Sequence, residues 1–199
     1  EYNATVGLPI IGASAAYALG ATGQGQTVAV IDTGTDSDHP DLQGAVVQMF
    51  DVCADTACAG FNAAGDRVTI TRQDGDTDTE GHGTLVTGVI AARRQDDFSS
   101  VLDDNTPNGI QGAAYEASII DIRADSPGSC ARTGEDEGCV YNDDTLVRAI
   151  EYAVAQGASI INMSLGGEID NDPRLENAVR AAAAAGVLVV ISAGNEAEP

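Results

Sequence analysis

The chain has 199 residues, and its apolar content of 43% suits one soluble globular domain with a sizeable core. Nine basic residues, all of them Arg, stand against 31 acidic residues, which gives a net charge of −22. A surface this acidic repels nucleic acid and anionic membranes, so we expect neither as a partner. No apolar run approaches the roughly 20 residues that cross a bilayer, and no signal-peptide pattern opens the chain, so any leader is expected to have been removed.

Apolar runs alternate with helix signals along the chain, which predicts the α/β class with a parallel sheet covered by helices. Short and nearly continuous apolar runs are typical of strands buried on both faces. Such runs occupy residues 27–32, 46–52, 118–122, 159–164 and 187–192. The long polar stretches between them are expected to be surface loops.

The sequence predicts helices in the segments between these runs. The first covers residues 81–92 and carries an apolar stripe made of Leu85, Val86, Val89 and Ile90. The second can be capped by Asp143 or Asp144. The third places Asp172 at the N-cap and Pro173 at the first helical position. A Gly ends each of the last two helices, so both belong to strand–helix–strand units.

The cysteines form two close pairs, Cys53 with Cys58 and Cys130 with Cys139, each in a stretch that is predicted to be a loop. A disulfide within each pair is the favoured interpretation. Other pairings and a metal site remain open, although the spacing differs from C-x₂-C and the chain offers only two His. Disulfides predict an oxidising compartment, and therefore secretion.

Three polar residues occupy positions suited to chemistry. Asp32 ends the first apolar run and Asn195 follows the last one, so both are expected at the carboxyl edge of the sheet, where ligands bind in open α/β folds. His82 lies between two Gly at a predicted helix start, and a buried carboxylate can orient such a His as a general base. The Asn195 amide could donate to an oxyanion. Taken singly, Asp32 and Asn195 each also fit an ordinary turn.

Together, five motifs resemble the subtilisin family in both order and spacing: VAVIDTG, HPDL, D-x-x-GHGT-x-V-x-G, SLGG and AGN. The resemblance runs from residue 8 to the last residues. The opening segment, residues 1–34, is similar to the subtilisin-type passenger domains of bacterial autotransporters. Leu85 stands where many family members have a polar residue, a difference expected to affect packing more than chemistry.

The resemblance implies a three-layer α/β fold and a serine endopeptidase that works with an Asp-His-Ser triad. It implies that Asp32 and His82 are catalytic and that Asn195 lines the oxyanion hole. It also implies that substrate backbone pairs with the strand end made of Ser164, Leu165, Gly166 and Gly167. No segment resembling G-T-S-M or G-x-S-x-G occurs in the chain. We therefore expect residues 1–199 to be the larger part of one peptidase domain, inactive until the C-terminal part brings the catalytic Ser.

Calcium is the cofactor that the resemblance implies, and Asp41 in the HPDL motif matches a calcium-ligand position. The partner loop is expected after the His-bearing helix, where Asp103, Asp104 and Asn105 supply oxygen atoms. An insertion there prevents a residue-by-residue transfer of the other ligands.

Three other functions fit parts of the sequence. Asp32-Thr33-Gly34 is also the signature of aspartic proteases, but these need two such carboxylates and are rich in β-structure. A nucleotide-binding module would place its Gly-rich turn after the first strand, whereas Gly23 and Gly25 precede it. A pseudoprotease that only binds peptides differs solely by the absence of the nucleophile, and therefore stays open.

Overall fold

The structure is a computed structural model, and it describes residues 7–53, 69–73, 75, 77–78, 80–94, 110–126, 129, 139–166 and 173–194. Two short helices open it, α1 (Gly7–Ile10) and α2 (Ala13–Ala18). The strands are β1 (Thr27–Asp32), β2 (Val46–Cys53), β3 (Thr69–Arg72), β4 (Ser118–Arg123), β5 (Ile160–Met163) and β6 (Leu188–Ile191). The longer helices are α3 (His82–Ala91), α4 (Asp143–Ala155) and α5 (Pro173–Ala184). A 3₁₀ turn covers Pro40–Leu42.

The strands form one sheet in the order β3-β2-β4-β1-β5-β6. All neighbours pair in parallel except β3, which runs antiparallel to β2 at the edge. The five parallel strands coincide with the predicted apolar runs to within one or two residues. With helices on both faces, the sheet forms a three-layer α/β fold, as predicted.

One face of the sheet packs against α4 and α5 through a cluster of apolar side chains. Its buried core includes Ile31, Ile120 and Ile122 from the strands, together with Leu146 and Ile150 from α4. The cap of α4 differs from the prediction. Asn142, rather than Asp143 or Asp144, is the N-cap, and its side chain accepts a hydrogen bond from the Asp144 N–H. All three residues can cap a helix, so the choice depended on where the chain leaves its extended conformation.

The opposite face packs against α3, and here the predicted apolar stripe is half wrong. Val86 and Ile90 do pack on the sheet, but Leu85 and Val89 are 65% and 54% exposed. Small residues, Gly83, Thr87, Gly88 and Ala91, are buried instead. Small residues therefore fill much of the contact between α3 and the sheet, in place of the larger ones that were predicted.

Two features were not predicted from the sequence: the short strand β3 and the helices before β1. Pro173 begins α5 as predicted, while Asp172 lies outside the described residues. Of the helices in the described part of the chain, none is long and apolar enough to cross a bilayer.

Candidate active site

The site lies where β1 ends and α3 begins, on the face of the sheet that α3 covers. Asp32 is the last residue of β1, and His82 is the first residue of α3. A Cβ added at Gly83 would lie 2.1 Å from the carbonyl oxygen of Gly34 and 3.2 Å from the Cβ of Asp32. Only Gly fits at this position, so the close packing of α3 on β1 brings His82 to the end of the strand.

The two predicted side chains are in contact. The Nδ1 atom of His82 lies 2.8 Å from Oδ1 of Asp32. Because a carboxylate can only accept, the proton of this bond belongs to Nδ1, which leaves Nε2 free to act as a base. The Asp32 side chain is fully buried, whereas that of His82 is 44% exposed. The pair therefore joins a buried anion to an imidazole that is open to solvent.

The electrostatics of the pair favour a basic His82. Burial alone lowers the pKa of His82, but the hydrogen bond to Asp32 and the charges of Asp32, Glu80 and Asp78 outweigh it, so the pKa is raised above 6.5. Burial raises the pKa of Asp32, and the hydrogen bonds from His82 and from the Thr33 N–H oppose this. Among the described residues, Oδ2 of Asp32 has no hydrogen-bond partner.

Asp78 holds the start of α3 in place, a role that the sequence indicated only through its presence in the GHGT motif. Its carboxylate accepts bonds from the N–H groups of Glu80, Gly81 and Thr84 and from the hydroxyls of Thr33 and Thr84. Burial raises the pKa of Asp78, but these bonds outweigh it, and the pKa lies below 3.8. Asp78 thus caps the helix through N–H groups that its first turn leaves unpaired.

Thr33 connects the two carboxylates. Its hydroxyl donates to Asp78 and accepts from the N–H of Gly83, both at 2.9 Å. Its own N–H donates to Asp32 at 2.8 Å. Thr33, the residue directly after β1, therefore fixes Asp32, Asp78 and the first turn of α3 relative to one another.

A second group of residues borders the same edge. Tyr141 is half-buried; burial raises the pKa of its hydroxyl, and the nearby charges of Asp32, Asp125 and Glu80 raise it further. Asp125 is buried, and its carboxylate accepts from Nε of Arg123 at 2.7 Å and from its NH2 group at 3.2 Å. A single β-bridge joins Asp125 to Tyr141 and brings the end of the 126–141 segment back to the sheet.

The predicted substrate strand is only partly described. Ser164, Leu165 and Gly166 follow β5 directly, and the Leu165 carbonyl accepts from the Ser192 hydroxyl at 2.7 Å. A Cβ added at Gly166 would lie 3.3 Å from Cα of Gly194, so the ends of β5 and β6 run close together. Gly167 and Asn195 lie outside the described residues, and the convergence of Asn195 with the other two catalytic candidates stays a prediction.

Asp41, the predicted calcium ligand, lies in the 3₁₀ turn before β2. It is only 7% exposed, and its Oδ2 accepts the N–H of Ile110 at 3.1 Å, so one of its oxygens already has a protein donor. Within the described ranges, no group of three or more His, Cys, Asp or Glu could hold a metal ion. Asp103, Asp104 and Asn105 lie outside those ranges, as do Cys58 and Cys130. The carboxylate of Asp41 is itself a donor type that calcium accepts.

Comparison with known proteins points to one family. Residues 23–199 match the model of the Subtilase family, Peptidase_S8. The major intracellular serine protease of Bacillus subtilis (strain 168) is 36% identical over 96% of this chain and 50% of its own length. Thermitase from Thermoactinomyces vulgaris is 35% identical over 88% of this chain and 49% of its own length. The extracellular protease of Xanthomonas campestris is 32% identical over 89% of this chain and 30% of its own length. The chain thus spans half or less of each of these relatives.

Solved structures give the same picture. The S41 psychrophilic protease matches with a TM-score of 0.62 at 30% identity, over 89% of this chain and 48% of that one. Fervidolysin from Fervidobacterium pennivorans, described as a keratinolytic enzyme related to subtilisin, matches with a TM-score of 0.62 at 31% identity, over 89% and 22%.

Proposed function

Because the chain belongs to the subtilase family, we propose that it forms the larger, N-terminal part of a serine endopeptidase domain that hydrolyses peptide bonds with an Asp-His-Ser triad. The observation that carries the proposal is the 2.8 Å contact between Asp32 and Nδ1 of His82. The Bacillus subtilis relative is a serine protease by its name, and a buried carboxylate on Nδ1 is the arrangement that a triad needs.

In the proposed reaction, Nε2 of His82 accepts the proton of the Ser hydroxyl as its oxygen attacks the substrate carbonyl carbon. Asp32 stabilises the imidazolium that forms, and the Asn195 amide donates to the oxyanion. The imidazolium then gives its proton to the leaving amine, and an acyl-enzyme remains. Water activated by His82 in the same way releases the acid product and restores the Ser.

The Ser is proposed to lie beyond Pro199, so the C-terminal part of the domain is the partner that completes the site. The support is the exposed apolar surface of β6. Leu188, Val190 and Ile191 are 60%, 46% and 48% exposed, although they belong to a strand of the central sheet. Apolar strand surface of this kind is normally covered by further polypeptide.

Calcium, disulfides and secretion are proposed as well. Asp41 together with residues of the 95–109 segment would hold a structural calcium ion, so chelation should lower the melting temperature of the complete protease. The pairs Cys53–Cys58 and Cys130–Cys139 are proposed from their spacing. Cys139, the Cys whose side chain the structure describes, is not a free thiol, which supports a disulfide at that residue. Disulfides would suit secretion or the cell surface, whereas the relatives include both an intracellular and an extracellular protease by name.

A fluorophosphonate probe tests the activity directly, because it labels only a Ser that a neighbouring base has activated. We expect labelling of the complete protein, a loss of labelling in His82→Ala, and none for residues 1–199 alone. His39→Ala is the matched control, since His39 is the only other His and the probe site should not depend on it. A complete protein that binds peptide but is not labelled would be a pseudoprotease, and inhibition by pepstatin would favour the aspartic alternative.

A further inference from the structure

Strand β4 carries a carboxylate that the triad does not use. Asp121 lies among Ile119, Ile120 and Ile122 in the middle of the sheet and has no exposed surface. Side chains alternate along a strand, so Asp121 faces α3 together with Ile119, while Ile120 and Ile122 face α4. An acidic residue is almost never buried this deeply unless it has partners.

The direct partners of Asp121 come from two separate segments, and a third segment joins the network through Thr35. Its Oδ1 atom accepts from the Thr35 hydroxyl at 2.9 Å, and its Oδ2 atom accepts from the Thr77 hydroxyl at 3.3 Å. The Thr35 and Thr87 hydroxyl oxygens lie 3.0 Å apart. Since the Thr35 proton goes to Asp121, Thr87 must donate to Thr35. The order of donation runs from α3 through the loop after β1 to the sheet.

The same network fixes the segment that precedes α3. The Thr35 N–H donates to the Thr77 hydroxyl at 3.1 Å, and the Thr77 N–H donates to the Thr35 carbonyl at 3.3 Å. A Cβ added at Gly34 would lie 2.7 Å from the Thr77 hydroxyl, so the two segments are in tight contact. Thr77 directly precedes Asp78, the residue that caps α3 and binds Thr33.

We propose that Asp121 is a positioning residue of the active centre: through Thr35, Thr77 and Thr87 it fixes the segment that ends in Asp78 against the helix that carries His82. The inference rests on the proposed peptidase function, because positioning the Asp32–His82 pair affects a reaction only if that pair is catalytic. Asp121 touches neither substrate nor His82, and it acts through the groups that hold the Asp32–His82 pair in place.

The network accommodates both protonation states of Asp121. Ionised, the carboxylate accepts from Thr35 and Thr77. Protonated, it donates to the Thr77 oxygen, and Thr77 turns its own proton to the Thr35 carbonyl, which lies 3.3 Å from its hydroxyl. No buried group loses its partner in either state.

The charges around Asp121 are acidic. The negative charges of Asp32 on β1 and Asp78 before α3 both act on the Asp121 carboxyl. Asp51 on β2 and Arg123 on β4 are register partners, and their charges interact with each other. His82, at the start of α3, is bound to Asp32. Burial, reinforced by Asp78 and Asp32, raises the pKa of Asp121 to about 7. Its charge therefore changes in the range where His82 must be neutral to act as a base.

The test uses Asp121→Asn in the complete protease, with Asp144→Asn on the exposed side of α4 as the matched control. Removing a negative charge near the pair makes the imidazolium less favourable. We therefore expect the acidic limb of the kcat/KM profile to move about 0.3 to 0.6 pH unit to lower pH in Asp121→Asn. In the Asp144→Asn control, the acidic limb of the kcat/KM profile should stay within about 0.1 pH unit of that of the unsubstituted protease. A merely structural Asp121 would lower Tm but leave the limb unshifted, and that result would overturn the proposal.

A second measurement needs neither a variant nor activity. In the unsubstituted complete protein with ¹³C-labelled carboxyls, one Asp should titrate near neutral pH, and the His82 ring signals should show a second inflection at the same pH. A single His82 inflection, with every Asp titrating below about pH 5, would overturn the inference. Because these signals do not depend on turnover, a failure of the peptidase proposal remains distinguishable from a failure of this one.

Discussion

The two faces of the sheet carry different kinds of residues. The face under α4 and α5 is built from aliphatic side chains, with Ile31, Ile120 and Ile122 packed against Leu146 and Ile150. The face under α3 holds Asp32, Thr35, Thr87 and Asp121 in its interior, and all of these are buried. The first face gains its stability from burial that needs no exact geometry, whereas the second depends on hydrogen bonds that fix directions.

This contrast fits the proposed chemistry, which lies on one side of the sheet only. An apolar core tolerates exchange of side chains of similar volume, so it supplies a rigid support. A buried polar network is satisfied in very few arrangements, and it therefore holds Asp32 and His82 at a defined separation. Substitutions on the apolar face should therefore change mainly the stability, and substitutions on the polar face mainly the activity.

The largest expected effect is on the polar face. His82→Ala in the complete protease should lower kcat by about 10⁴-fold or more, because the general base of the proposed triad is lost. Its melting temperature should change little, since the His82 side chain is 44% exposed. Hydrolysis of a chromogenic peptide, with His39→Ala in parallel, measures the ratio. Near-normal turnover by His82→Ala would remove the basis of the triad assignment.

The apolar face should respond in the opposite way. Ile150→Ala leaves a cavity between α4 and the sheet, where Ile150 is 1% exposed, and should lower the free energy of unfolding by about 2 to 5 kcal/mol. The kcat/KM value of the folded fraction should stay within twofold. Urea unfolding measures the first quantity, and exposed Arg148→Ala serves as the control. A large loss of kcat/KM without loss of stability would contradict the division between the faces.

An intermediate effect is expected at Asp78, which serves both stability and the site. Asp78→Asn weakens several charge-assisted hydrogen bonds and should cost about 1 to 3 kcal/mol near neutral pH, with kcat/KM lowered as α3 loosens. The pKa of Asp78 is lowered in the folded chain, so its stabilisation is present above pH 3.8 and is lost as the pH falls further. The difference between the variant and its parent should therefore vanish in acid. Unfolding of both proteins between pH 3 and 7, beside Asp38→Asn, would measure it.

The smallest effect should come from the exposed side of α5. Glu176 accepts from Arg180 at 2.6 Å, but the two side chains are 63% and 73% exposed. Because solvent screens such a pair, Glu176→Gln should change the free energy of unfolding by less than about 0.5 kcal/mol and leave kcat/KM unchanged. Thermal unfolding at low and high salt provides the comparison, and a change above about 1 kcal/mol would mean that this surface is not free in the complete protein.

Local sequence determined much of the scaffold. The five parallel strands follow from apolar runs, because a strand buried on both faces must be apolar throughout. Pro173 and the Gly residues after α4 and α5 marked helix boundaries, since each restricts or permits backbone conformations locally. The contact between Asp32 and His82 was also predicted, from motifs that place them at a strand end and a helix start.

Only the tertiary structure decided what each face of α3 does. Periodicity identified a stripe of large apolar residues, but the close approach of the helix at Gly83 buries Thr87 and Ala91 and leaves Leu85 and Val89 largely exposed. Asp121 was not singled out from the sequence, because its partners Thr35 and Thr77, and Thr87 beyond Thr35, lie far from it along the chain. Local patterns record the conformation of a segment, whereas hydrogen bonds between distant segments exist only once the fold brings their donors and acceptors together.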